Sequence, residues 1–141
     1  MLTTDEDGWS HGACHCGSVT FRARLSDGLA SARRCDCSLC RMRGAVAVTA
    51  SLNGVEVLEG EALLGEYQFN TRQARHWFCT RCGIYTHHQR RSNPNEFGVN
   101  AACLGVSPFD FDQVPVNEGV NHPSDTGIRG RLVGVLRFER V

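Results

Sequence analysis

The chain has 141 residues, fifteen acidic and fifteen basic, a formal charge of zero and 41% hydrophobic residues. No apolar run approaches the ~20 residues of a membrane span, and no basic excess suits an extended polyanion, so neither a membrane nor a nucleic acid is expected as partner. Every basic residue is an arginine, which excludes a lysine Schiff base as a route to covalent catalysis.

A chain of this length buries roughly two-thirds of its unfolded surface and needs no crosslinks, so one domain over residues 1–141 is expected. Its eight cysteines therefore need another explanation. The first residues, Met1 to Asp7, are acidic and lack the basic and apolar regions of a secretion signal. A reducing, cytoplasmic location is expected, where thiols stay free or bind metal.

In chain order, alternating β-branched and aromatic segments predict strands over 18–25, 45–49, 55–58, 67–69 and 96–101, with a last one over 133–138. Turn signals separate them at Ser26-Asp27-Gly28, Asn53-Gly54, Glu59-Gly60 and Ser92-Asn93-Pro94-Asn95, the last reading as a hairpin connection. Residues 38–43 alone suit a helical turn, with Ser38 as N-cap and Gly44 as stop. Residues 105–130 lack periodicity and read as a loose excursion. The fold class expected is mainly β, built from small antiparallel sheets with little helix.

Seven of the eight cysteines fall into three groups: Cys14 and Cys16; Cys35, Cys37 and Cys40; Cys79 and Cys82. One short loop can aim several sulfurs at one ion, so this clustering points to zinc. The outer groups match, each followed by glycine and a strand, as Cys16-Gly17 and Cys82-Gly83. Glycine permits positive φ and lets backbone N–H groups turn toward the thiolates. Two such knuckles complete a Cys₄ site, the closed arrangement of structural zinc.

The middle group offers three sulfurs and no local fourth donor, the pattern of catalytic or exchangeable zinc with an open position. Two zinc ions per chain are expected. The competing readings are disulfide or redox pairing, and a middle site closed by Cys103, Asp36 or one of His76, His87 and His88. Cys103 continues an alternating apolar face and reads as a small buried hydrophobe, while His15 reads as solvated. His87 and His88 alternate along a strand, so at most one faces a site. Arg33, Arg34, Arg41 and Arg43 flank the middle group, either as solvated counter-charges to a thiolate centre or as bidentate partners for the carboxylates of an anionic substrate.

Cys-x-Cys-Gly at Cys14 to Gly17, Cys-x-Cys-x-x-Cys-Arg at Cys35 to Arg41, Phe-Cys-x-x-Cys-Gly at Phe78 to Gly83 and Asn-x-x-Cys-Leu at Asn100 to Leu104 together resemble the glutathione-dependent formaldehyde-activating enzyme family, to which centromere protein V is related. The resemblance spans a motif core of residues 12–104. It implies a β-tent fold, a structural zinc on Cys14, Cys16, Cys79 and Cys82, and a second zinc on Cys35, Cys37 and Cys40. It also implies a carbon–sulfur lyase that forms or cleaves a thiol–aldehyde adduct such as S-(hydroxymethyl)glutathione. Gly105 departs from the pattern, since an acidic residue often follows Cys-Leu there. Read from the residues alone, the open position would accept a small thiol, and a zinc-stabilised binding module without turnover is the alternative.

Overall fold

Ser10–Ala13 (β1) pairs antiparallel with Thr20–Leu25 (β2). Alternation along β2 buries Phe21 and Ala23, while Arg22 and Arg24 lie over the Trp9 ring with guanidinium carbons 4.3 and 4.5 Å from its centroid. A computed structural model describes residues 2–120 and 131–141. Its remaining elements are Arg34–Cys35 (β3), the helix Ser38–Arg43 (α1), Ala47–Glu59 (β4), Leu64–Tyr67 (β5), Arg75–Cys79 (β6), Tyr85–Gln89 (β7), Glu96–Asn100 (β8), Gln113–Asn117 (β9) and Leu132–Arg137 (β10).

Seven strands form one antiparallel sheet in the order β1-β2-β4-β8-β7-β6-β5, and β10-β9-β3 form a second. In the second, β9 runs antiparallel to β10 and parallel to β3. The fold is mainly β, with one short α-helix among the described residues.

The helix occupies the predicted residues, and Gly44 stops it with φ 70°. Its N-cap is Cys37, not Ser38: the Cys37 sulfur accepts from the Cys40 N–H and takes the role expected of the hydroxyl. The predicted strands 45–49 and 55–58 are one strand, β4. Asn53-Gly54 makes no hairpin, because the chain bulges against β2 between the pairs Ala23↔Val55 and Leu25↔Ala50. A Cβ at Gly54 would lie 2.9 Å from the Arg24 carbonyl oxygen, so only glycine permits this close passage.

The strand expected at 67–69 lies instead at 64–67, where β5 pairs with β6. The connection around Ser92–Asn95 does join two antiparallel strands, β7 and β8. Strand β8 ends one residue early because the Asn100 side chain caps a 3₁₀ turn over Ala101–Leu104, accepting from the Ala102 N–H at 3.2 Å. Cys103 thus sits on this turn rather than on an alternating strand face, and packs against the main core. The stretch read as a loose excursion contains β9 and a capped 3₁₀ turn at Pro108–Asp110; its residues 121–130 lie outside the described residues.

Phe21, Val48, Val99, Leu104 and Val114 centre the main core. Burying each such side chain contributes about 1.5–3 kcal/mol. A smaller cluster of Cys14, Val19 and Cys79, flanked by Leu63, Leu64 and Cys82, lies under the outer cysteine groups.

Candidate metal centres and their cavity

The turn after β1 and the turn after β6 have the same local construction. Gly17 and Gly83 adopt φ 77° and 80°. Their N–H groups donate to the carbonyls of Cys14 at 3.1 Å and Cys79 at 2.7 Å. The Val19 N–H donates to Cys14 Sγ at 3.3 Å. All four sulfurs of Cys14, Cys16, Cys79 and Cys82 lie within 4.8 Å of one another, with Cys14–Cys16 at 3.6 Å and Cys16–Cys79 at 3.8 Å. A tetrahedron with Zn–S bonds of about 2.3 Å has edges of about 3.8 Å, so the donor set fits zinc. No disulfide joins any two of the eight cysteines. The hydroxyl of Ser18, donating to Cys16, brings that thiol down to about 6, and the Cys16 and Ile84 backbone N–H groups lower Cys82.

The second group is built by β3 and the first turn of α1. Cys35, Cys37 and Cys40 also lie within 4.8 Å of one another. The Cys37 N–H donates to Cys35 Sγ at 3.4 Å, and the Cys40 N–H to Cys37 Sγ at 3.3 Å. Hydrogen bonds from the neighbouring thiols bring Cys37 down to about 2, whereas hydrogen bonding to Cys35 and Cys37 drives Cys40 far up. Three sulfurs this close cannot all ionise without a cation among them, and a divalent ion removes that conflict.

Among the described residues no further His, Cys, Asp or Glu atom joins this group. Asp36 is occupied elsewhere, accepting from the Gly119 N–H at 2.6 Å. A side chain at position 119 would collide with Cys35 Sγ, so glycine lets the backbone pass over the sulfurs.

The three sulfurs form part of the wall of a cavity of about 710 Å³. Among the described residues, seven arginines line it, Arg33, Arg34, Arg41, Arg43, Arg90, Arg91 and Arg131, against one acidic residue, Glu118. Glu118 pairs with Arg131 at 3.1 Å, and Arg90 is held by Thr49 Oγ1 at 3.0 Å. Arg33, Arg34 and Arg41 have no carboxylate partner among the described residues.

Arg43 ties the cysteines to the large sheet. Its Nη2 donates to Cys40 Sγ at 3.7 Å, its carbon lies 3.6 Å from the Tyr85 ring centroid, and its Nη1 donates to His76 Nδ1 at 3.0 Å. Because a guanidinium only donates, His76 Nδ1 accepts and Nε2 carries the ring's proton; Nε2 is buried without a partner. Burial, then the Arg43 charge, hold His76 down to about 4. His88 stacks on His76 with centroids 5.1 Å apart and bonds the Tyr85 hydroxyl at 2.6 Å. His76 and His88 line the cavity. His87 instead packs against Trp77 and Phe97, and His15 is exposed.

Sequence reasoning singled out the arginines beside the middle cysteines but missed Arg90, Arg91 and Arg131. Arg90 and Arg91 lie in the connection after β7 and Arg131 just before β10, far from any cysteine motif. Tyr85 was visible only as a strand residue, and the passage of Gly119 over the sulfurs had no local signal.

The comparisons agree with this architecture. The chain resembles a Rhodobacter sphaeroides protein of known crystal structure, with 59% identity, a TM-score of 0.74, and coverage of 75% of this chain and 98% of that one. The family model described as glutathione-dependent formaldehyde-activating enzyme matches residues 9–113, from before the first cysteine group to the start of β9. The family model covers well over half of the chain, which therefore belongs to the glutathione-dependent formaldehyde-activating enzyme family.

Proposed function

We propose that the chain is a single-domain, zinc-dependent enzyme of the carbon–sulfur lyase type, forming or cleaving a thiol–aldehyde adduct such as S-(hydroxymethyl)glutathione. The observation that carries this reading is the arginine-lined cavity walled by Cys35, Cys37 and Cys40. Family membership supports it. In this reading Cys14, Cys16, Cys79 and Cys82 hold a structural zinc, and the three-cysteine group holds the second. Bound there, that ion would supply a Lewis-acid position that lowers the pKa of an incoming thiol.

The side chains around it account for the rest. Glutathione carries two carboxylates, and a guanidinium fork binds a carboxylate bidentately. Arg33, Arg34 and Arg41 have no carboxylate partner among the described residues and are placed to do so, whereas Arg43 and Arg90 are committed to protein partners. As the C–S bond forms, the thiol loses its proton and the carbonyl oxygen gains negative charge before taking one up. The guanidinium N–H groups on the cavity wall are the donors at hand for that oxygen, and their charge stabilises it as it develops.

Two-dimensional exchange NMR on glutathione and formaldehyde tests the proposal. The zinc-loaded protein should accelerate adduct formation and breakdown at catalytic concentration. Exchange at the uncatalysed rate would remove this substrate pair and favour a binding module without turnover.

A further inference from the structure

We propose that Arg43 is the positioning residue of the three-cysteine centre: its guanidinium fixes the Cys40 sulfur where all three sulfurs face one ion, so the metal affinity of this centre depends on Arg43 and that of the four-cysteine centre does not. The proposal rests on the reading that Cys35, Cys37 and Cys40 hold a metal.

The need for such a residue follows from α1. The helix has six residues, none of them buried, and a helix so short has too few backbone bonds to hold itself without packing. It nonetheless carries two of the three cysteines, Cys37 at its N-cap and Cys40 in its first turn. Cys35 is fixed independently, because β3 pairs with β9 and the next residue, Asp36, is tied to the Gly119 N–H. Cys37 follows two residues later, and its N–H donates to the Cys35 sulfur. Cys40 lies one helical turn further on. Among the described residues, the side chain outside the group that bonds its sulfur is Arg43, through Nη2 at 3.7 Å.

Arg43 is in turn seated on the large sheet. Its guanidinium carbon lies 3.6 Å from the centroid of the Tyr85 ring, and its Nη1 donates to His76 Nδ1 at 3.0 Å. Tyr85 and His76 are both buried, on β7 and β6. The Tyr85 ring is itself held, its hydroxyl 2.6 Å from His88 Nδ1 and 3.3 Å from the Gly98 carbonyl oxygen. A side chain at position 98 would collide with the His88 ring, so glycine on β8 makes room for this support. Three strands thus present one prebuilt seat. A planar cation fills it, with its face on the ring and its two terminal nitrogens on His76 and Cys40. A lysine ammonium is a compact point charge and cannot make these contacts together. Groups that hold a metal ligand in place from outside typically contribute about 10- to 100-fold to metal affinity.

Cadmium-113 NMR on the full chain, with EDTA as competitor, tests this, because three-sulfur and four-sulfur centres give separate resonances. The wild type should show both. In Arg43→Met and in Arg43→Lys the three-sulfur resonance should be lost at about 10- to 100-fold lower EDTA concentration than in the wild type, while the four-sulfur resonance keeps its position and its EDTA midpoint. Arg43→Lys retains the charge and most of the stem, so it decides the matter should Arg43→Met not fold. A three-sulfur resonance as resistant as that of the wild type in either folded variant would overturn the proposal. So would an equal weakening of both resonances, the mark of a general loosening of the fold. A wild type without a three-sulfur resonance would remove the underlying reading of a metal on Cys35, Cys37 and Cys40, and the proposal with it.

Discussion

His87 carries an ionisable ring into an aromatic cluster. It stacks on Trp77 with centroids 4.7 Å apart, meets Phe97 edge-on at 5.7 Å and lies 6.1 Å from Phe21. Burial holds its pKa down to about 4, against about 6.5 in an unfolded chain. Between those values the unfolded chain binds a proton that the folded chain refuses, so stability is full above about pH 6.5 and falls as pH drops toward 4. The loss approaches about 3 kcal/mol for this one residue. His87→Phe keeps the stacked ring and removes the titration. Thermal melts at pH 7 and pH 5 should therefore show a smaller loss in the variant than in the wild type. Other acid-sensitive groups, including the cysteines, are common to both proteins, so parallel curves would show that His87 is not buried in its neutral form.

The two cysteine constructions differ in how they are embedded. Cys14 and Cys79 are buried with Val19 in a core cluster of their own, so their sulfurs join β1 to β6 across the sheet. Cys35, Cys37 and Cys40 are half-buried on a cavity wall. A structural zinc adds on the order of 10 kcal/mol of apparent binding free energy, which is also folding free energy. Cys82→Ser should therefore aggregate or melt far below the wild type. Cys37→Ser should melt close to it, because serine is itself a good helix N-cap, but should lose adduct exchange. Calorimetry of both variants checks this; equal melting temperatures would contradict the division of roles.

These elements also mark what sequence could convey. The helix at 38–43, the matched knuckles and the alternation of β2, β4, β8 and β10 rest on neighbouring residues and were legible. The single strand through Asn53-Gly54 was not, because its bulge is imposed by β2 rather than by turn propensity. β9 was hidden for a similar reason: Pro115 and a short, partly polar run suppress the strand pattern, and its pairing with β3 and β10 comes from distant segments.

Across the whole molecule, a formal charge of zero conceals an uneven distribution. Among the described residues, seven arginines line one cavity with a single acid, and composition cannot reveal such segregation. They converge from β3, α1, the connection after β7 and the residue before β10, so only those beside the cysteine motif were visible in sequence. The thiol–aldehyde account requires this charge to hold the substrate. A charge-assisted bidentate bond contributes about 1.5–3 kcal/mol, or roughly a tenfold to hundredfold change in apparent affinity.

The direct measurement is the apparent KM for glutathione and for the neutral thiol mercaptoethanol, by exchange spectroscopy, in wild type and in Arg33→Ala, Arg34→Ala and Arg41→Ala. At least one substitution should raise KM for glutathione tenfold or more while leaving mercaptoethanol within about twofold. If all three change both thiols alike, or neither, the arginines serve the charge of the cysteine centre or the fold, and the cavity is not the seat of an anionic thiol.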